Sequence, residues 1–203
     1  MGVNLQKGQK VDLTKGNAGL SRIMVGLGWD PVIQSKGGGI LGGLFGGGKS
    51  EEYDLDASVF LLDENDKIMS NKDIIYFGNL KSQCGSIQHT GDNLTGSGDG
   101  DDEQIIVELN QVPERISKIV FVVNIYDCIK RKQDFGQIEN AFIRIVDHNG
   151  TEIIKYNLTD NYSGKTALVT GEIYRHDGEW KFAAIGEGTN DMSITDMSKR
   201  YKN

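Results

Sequence analysis

The sequence predicts an all-β protein, an antiparallel β-sandwich with few short helices, and three observations support this fold class. Apolar or alternating runs recur every eight to twelve residues, and turns rich in Gly, Asn and Asp separate them. No segment between these runs has both the length and the 3.6-residue period of an amphipathic helix. The pattern therefore disfavours a parallel α/β fold, in which helices connect the strands.

The first strands lie in the N-terminal part of the chain. Residues 3–15 alternate apolar and polar side chains around Lys7-Gly8, which predicts one or two short strands. Residues 21–29 predict the next strand, which Asp30-Pro31 ends. Its apolar face is Ile23, Val25, Leu27 and Trp29.

Residues 36–49 form a glycine-rich insertion. Eight of these fourteen residues are glycine, so backbone entropy opposes order and we expect a mobile loop. The apolar pairs Ile40-Leu41 and Leu44-Phe45 leave two interpretations open. They form either a sticky patch for a membrane or partner, or a loose insertion that packs its own apolar residues, and the second is favoured.

Residues 53–62 predict a strand with an acidic face. Alternation places Asp54, Asp56 and Ser58 on one face and Leu55, Ala57 and Val59 on the other. Carboxylates two residues apart on a strand point the same way, roughly 7 Å from each other. Because aspartate disfavours strands, two on one face suggest a metal site, although solvated side chains would give the same pattern. A tight turn at 63–66 follows.

The middle of the chain predicts further strands around an acidic segment. Residues 74–77 predict a short buried strand, and runs at 86–90 and 104–109 flank the acidic residues. Residues 112–116 predict a short helical turn. Residues 118–126 have the strongest strand character of the chain and predict a central strand.

Two hairpins are predicted in the C-terminal third. Runs at 141–146 and 152–158 meet at a turn over 147–150, and runs at 166–176 and 179–185 meet at Asp177-Gly178. We therefore expect one sandwich domain over residues 1–186. Residues 187–203 are then a polar tail that either holds a short helix or frays.

Composition narrows the function classes. A net charge of −7 without a basic stripe argues against nucleic acid as the main partner. We find no apolar run of membrane-span length and no signal-peptide pattern, so we expect a cytoplasmic protein. The two cysteines, Cys84 and Cys128, lie far apart in sequence and are expected to be free thiols.

Residues 91–103 are the clearest chemical signal. They hold four aspartates, one glutamate and four glycines, with no Lys, Arg or His. Carboxylates at this density repel one another unless a cation lies between them, and oxygen ligands on a glycine-hinged loop suit calcium. The segment is not an EF-hand, because Leu94 and Gly96 stand where that motif has oxygen ligands. A fully solvated surface turn is the alternative.

No catalytic arrangement is evident. His148 and His176 are expected in solvated turns, and His89 is expected at the surface or half packed rather than bound to a metal. No Ser/His/Asp or Cys/His arrangement stands out, and Gly48-Lys49-Ser50 lacks the context of a P-loop. A binding module is therefore favoured over an enzyme.

Several motifs in fixed order resemble the TerD family of tellurite-resistance and stress proteins. They span residues 3–186, nearly the whole chain. The motifs are residues 5–8, 26–30, 54–58, 91–96, 100–105, 135–137, 140–144, 171–175 and 180–182.

The resemblance implies a β-sandwich that binds calcium, typically two ions, through its acidic segments. Carried onto this sequence, it implies a set of oxygen ligands from three segments. They are Asp30, Asp54, Asp56, Asp92, Asn93, Asp99, Asp101, Asp102 and Glu103, with the carbonyl of Gly100. The longer insertion at 36–49 and the more polar tail depart from the family pattern, but neither touches the acidic segments.

The family is bacterial, and its proteins occur in stress clusters near membrane-associated complexes. We therefore expect a calcium-dependent binding or scaffold module rather than a catalyst. Its expected partners are other stress-cluster proteins, in the cytoplasm or at the inner face of the membrane, and no small-molecule substrate is expected. The alternative is a metal- or thiol-dependent enzyme acting on tellurite or another toxic oxyanion, which requires an exposed, reactive cysteine. A third reading is a purely structural scaffold whose acidic loop is solvated.

Overall fold

A computed structural model describes residues 2–17, 19–31, 53–91 and 100–202. The described residues form twelve strands in two six-stranded sheets, with few short helices, which confirms the all-β prediction. The glycine-rich insertion at 36–49 lies outside the described residues. The strands are β1 Val3–Leu5, β2 Lys10–Asp12, β3 Arg22–Pro31, β4 Leu55–Leu62, β5 Ile74–Ile75, β6 Ile87–His89, β7 Glu103–Glu108, β8 Lys118–Ile125, β9 Ile138–Asp147, β10 Glu152–Asn157, β11 Ala167–His176 and β12 Glu179–Thr189.

The chain passes several times from one sheet to the other. Sheet 1 has the order β1-β10-β9-β3-β7-β6, and sheet 2 has the order β2-β12-β11-β8-β4-β5. All pairings between these strands are antiparallel except β1 with β10, which is parallel. The central position predicted for residues 118–126 is confirmed, since β8 lies between β11 and β4.

The main core lies between the sheets, where strand alternation delivers the apolar faces. Ile23, Val25, Leu27 and Trp29 of β3 pack into the same buried cluster as Leu55, Ala57 and Val59 of β4. Both predicted faces are therefore confirmed. Each large apolar side chain buried here contributes about 1.5–3 kcal/mol relative to exposure.

A second core covers the outer face of sheet 2. The C-terminal helix lies there, with Met197 fully buried in the same cluster as Phe60 and Val122. Ser193 caps this helix by accepting a hydrogen bond from the backbone N–H of Asp196. The boundary predicted at residue 186 falls inside β12, and the segment after it packs onto the sandwich. The helices are α1 Cys128–Arg131 and α2 Ile194–Lys199, with 3-10 turns at Asn71–Asp73, Leu109–Gln111 and Phe135–Gln137.

Two local predictions are corrected. The helical turn predicted over 112–116 is a turn closed by the Ile116 N–H to the Pro113 carbonyl oxygen at 2.9 Å, and the 3-10 helix lies just before it. The strand predicted over 74–77 is confined to β5, and Phe77 is 49% exposed. Edge position explains the second difference, because β5 pairs with β4 only at Val59 and Phe60.

Candidate functional site

The start of β7 contacts β4 across the sandwich. Glu103 points into the core with 1% exposure, and its Oε2 accepts a hydrogen bond from the backbone N–H of Ala57 at 2.7 Å. Since β7 belongs to sheet 1 and β4 to sheet 2, this contact joins the sheets. It also brings the segment around Asp54 and Asp56 to the same end of the sandwich as residues 100–103.

His89 completes this contact from β6. Its Nε2 lies 3.2 Å from the Ala57 carbonyl oxygen and 3.3 Å from Glu103 Oε2, while its Nδ1 accepts from the Gly91 N–H at 3.1 Å. These partners assign the proton to Nε2. His89 and Glu103 thus bind both backbone groups of Ala57, in the place of a neighbouring strand. The surface or half-packed position expected for His89 is wrong, because the residue is 1% exposed.

Asp101 forms a buried ion pair on the outer face of sheet 1. Its Oδ1 lies 2.7 Å from Arg144 Nε and its Oδ2 lies 3.0 Å from Arg144 Nη2, a bidentate geometry. Gln104 Nε2 donates to the same Oδ2 at 3.3 Å. A methyl group at Gly26 would collide with this carboxylate, so β3 needs glycine there. The structure thus gives this predicted calcium ligand a protein partner.

Asp102 and Asp30 form an oxygen-rich corner beside Gly100. Asp102 Oδ2 accepts from the Trp29 N–H at 2.8 Å, and Asp30 accepts from Asn140 Nδ2 at 2.9 Å. Burial raises the pKa of Asp102 above its ordinary value, and the charges of Asp30 and Asp101 raise it further, against the opposing Trp29 hydrogen bond. The Gly100 carbonyl oxygen faces Gly28, 2.7 Å from where a Cβ would lie. Two carboxylates and a carbonyl are hard donors of the kind that calcium prefers.

The remaining predicted ligands are distributed differently. Asp54 lies 3.4 Å from Arg131, and Asp56 is 7% exposed on the outer face of sheet 2, opposite Asn124. Asp92, Asn93 and Asp99 lie outside the described residues. Within the described ranges, no three His, Cys, Asp or Glu side chains are grouped closely enough to hold a metal ion by themselves. The fold therefore brings residues 54–56 and 100–103 to one end of the sandwich. Their carboxylates diverge, however: Glu103 points into the core, Asp101 lies on the outer face of sheet 1, and Asp56 lies on the outer face of sheet 2.

The two thiols have different environments. Cys128 is buried, and burial raises its pKa. Burial acts in the same direction on half-buried Cys84, but hydrogen bonds with Ser82 and Ser86, at 3.3 and 2.9 Å, outweigh it and lower the pKa of Cys84. Both thiols are free, as expected from the sequence. The hydroxyl partners of Cys84 follow from its serine neighbours two residues away on either side.

Comparison with protein families shows which family the chain belongs to. The family model described as the TerD domain matches residues 1–201 of this sequence. The chain belongs to the TerD family. Its similarity to curated TerD relatives extends over nearly the full length. It is 63% identical over 202 residues to the stress response protein SCP2 of Bacillus subtilis, covering 99% of this chain and 100% of that protein. It is 47% identical over 189 residues to the tellurium resistance protein TerD of Serratia marcescens, covering 93% and 91% of the two chains.

Solved structures share the TerD fold. A homologue of the telluride resistance protein TerD from Streptomyces coelicolor A3(2) superposes with a TM-score of 0.62 at 20% identity, covering 87% of this chain and 94% of that chain. The family match and the full-length relatives confirm the resemblance inferred from the sequence motifs.

In the described part of the chain, no helix is both long enough and apolar enough to span a membrane.

Proposed function

We propose that the protein is a calcium-dependent binding module of the stress response associated with tellurium resistance, and that it acts without catalysis. The stress and tellurium part follows its relatives, which bear the names of stress response and tellurium resistance proteins. The calcium part depends on the acidic end of the sandwich. The observation that carries it is the corner where Asp102, held by the Trp29 N–H, lies beside Asp30 and the Gly100 carbonyl. Burial raises the pKa of Asp102, and the negative charges of Asp30 and Asp101 raise it further.

A calcium ion would relieve this repulsion. Asp102, Asp30 and the Gly100 carbonyl would hold it, together with oxygen atoms from the acidic segment, since calcium takes about six to eight oxygens. Asp54 and Asp56 are left out of the ligands of this ion, because Arg131 contacts Asp54 and Asp56 lies on the outer face of sheet 2. The other predicted acidic ligands of that segment are Asp92, Asn93 and Asp99. Asp101 and Glu103 act as supports in this proposal, because Arg144 and Ala57 already bind their carboxylates.

Calcium would act by ordering the acidic end of the sandwich. Neutralised carboxylates at one end of the sandwich stabilise the folded state by linkage and create a surface that differs between the free and loaded forms. We propose that stress-cluster partners, some of them membrane-associated, read this difference in the cytoplasm or at the inner face of the membrane. Two ions are proposed, one more than the described corner can hold by itself.

Thermal unfolding with and without calcium tests the proposal. At a free calcium concentration of about 100 times Kd, a single site stabilises the protein by about 2.7 kcal/mol, while magnesium at the same concentration should produce little shift. Asp102→Asn should remove most of the calcium-dependent shift. Glu108→Gln, a control at the far end of β7 beside Arg22, should retain it. A calcium shift that survives Asp102→Asn would contradict the ligand assignment, and no shift in the wild type would contradict calcium binding.

A further inference from the structure

A pocket of about 380 Å³ opens on the outer face of sheet 2, where β4 and β8 meet the chain that leads into α2. Its floor is polar. Asp56 of β4 pairs directly with Asn124 of β8, and Ser58 follows two residues along the same face. Directly paired residues lie about 5 Å apart and residues i and i+2 about 7 Å apart, so the three side chains can contact one small group.

Two atoms of this floor are buried and lack a hydrogen-bond partner among the described residues. They are Ser58 Oγ and Asn124 Oδ1, on residues that are 1% and 5% exposed. Buried polar atoms are nearly always paired in folded proteins, so two unpartnered atoms in one pocket indicate missing hydrogen-bond partners. Both atoms can accept, and Asp56 beside them carries a carboxylate.

The walls of the pocket are aromatic, and its lining carries carboxylates. Tyr76, Phe77 and Tyr126 form the sides, and Phe77 and Tyr126 are each 49% exposed. Asp127 adds a second carboxylate, and the lining residues include no Lys, Arg or His. Two cations contact this lining from outside: Arg131 lies over the Tyr126 ring and beside Asp54, and exposed Lys130 lies 3.7 Å from Asp127. The carboxylate of Asp56 on the floor is therefore the main negative charge that the pocket offers a ligand. Aromatic faces next to carboxylates attract organic cations.

We propose that this pocket binds an alkylammonium group, carried by a small aliphatic amine or by a lysine side chain. An ammonium group has three N–H donors and no acceptor, which matches the acceptors of Asp56, Ser58 and Asn124. Its alkyl chain would lie against the aromatic walls. The inference goes beyond calcium binding, because aromatic walls beside the carboxylates suit the alkyl chain of an organic cation, which a bare metal ion lacks.

Calorimetric titration in the presence of EGTA tests this independently of calcium. The probes are putrescine and Nα-acetyl-lysine methylamide, with 1,4-butanediol as the uncharged analogue. Binding of either amine without binding of the diol supports the proposal, and the amine that binds more tightly identifies the source. Failure of both amines, or equal binding of the diol, overturns it.

Variants distinguish a ligand site from a structural one. Asp56→Asn and the double variant Ser58→Ala, Asn124→Leu should each weaken amine binding by about tenfold or more, the effect of losing hydrogen bonds to a charged group. The double variant should also melt higher than the wild type without ligand, because it removes the orphaned atoms. Exposed Asp177→Asn is the charge-matched control and should bind normally. Unchanged amine affinity in the double variant would overturn the assignment even if Asp56→Asn fails to fold.

Discussion

Replacing Arg144 with methionine should destabilise the protein whether or not calcium is present. The change leaves the Asp101 carboxylate, whose side chain is fully buried, without its bidentate partner. Breaking a buried pair costs about 3–5 kcal/mol, and the 30% exposure of the Arg144 side chain reduces this to roughly 2–3 kcal/mol. For a chain of this size the melting temperature should fall by about 5–10 °C.

The assay is thermal unfolding followed by circular dichroism in EGTA and again in calcium. Arg144→Lys should recover part of the loss, because it keeps the charge but not the bidentate geometry. Arg22→Met is the matched control in sheet 1: its pair with Glu108 is half exposed, so the cost should stay below about 1 kcal/mol. A calcium-free melting temperature within about 2 °C of wild type, together with a reduced calcium response, would refute the structural role and return Asp101 to the calcium ligands.

Two further predictions concern the same end of the sandwich. Asp102→Asn should raise the calcium-free melting temperature at pH 7. Because the folded-state pKa of Asp102 is raised, ionisation of the carboxyl costs stability as pH rises through that pKa. The higher melting temperature of the variant should therefore vanish below about pH 3.5 in a calorimetric pH series. A variant that is less stable than wild type at pH 7 would contradict this. Glu103→Ala should lower the free energy of unfolding by about 2–5 kcal/mol and speed hydrogen exchange at the Ala57 amide, measured by NMR. Glu187→Ala, on the exposed side of β12, is the control and should change neither quantity. An unchanged exchange rate at Ala57 in Glu103→Ala would contradict the inter-sheet contact.

Strand faces were predictable because they depend on a two-residue period alone. Leu55, Ala57 and Val59 reach the core for the reason visible in the sequence. The same rule could have placed His89 inside, since it follows Ile87 by two residues on β6 and both are buried. Its neighbour in sequence, the acidic segment, suggested solvent instead.

Other features depend on residues far apart in sequence. The partner of Asp101 is set by the register of β3 with β9 and by the gap at Gly26, neither of which a local pattern reveals. The six residues of α2 are too few to show a helical period, and the burial of Met197 depends on the outer face of sheet 2. Asp56 and Asn124 become neighbours only through the pairing of β4 with β8.

Calorimetric titration of the chelator-treated protein with calcium, and with magnesium in parallel, tests the central proposal most directly. Calcium binding at the acidic end predicts saturable heat from about two ions per chain, with little competition from magnesium. The absence of calcium heat in protein that is folded by circular dichroism would contradict the proposal, and the carboxylates around Asp102 would then be a solvated edge of the sandwich.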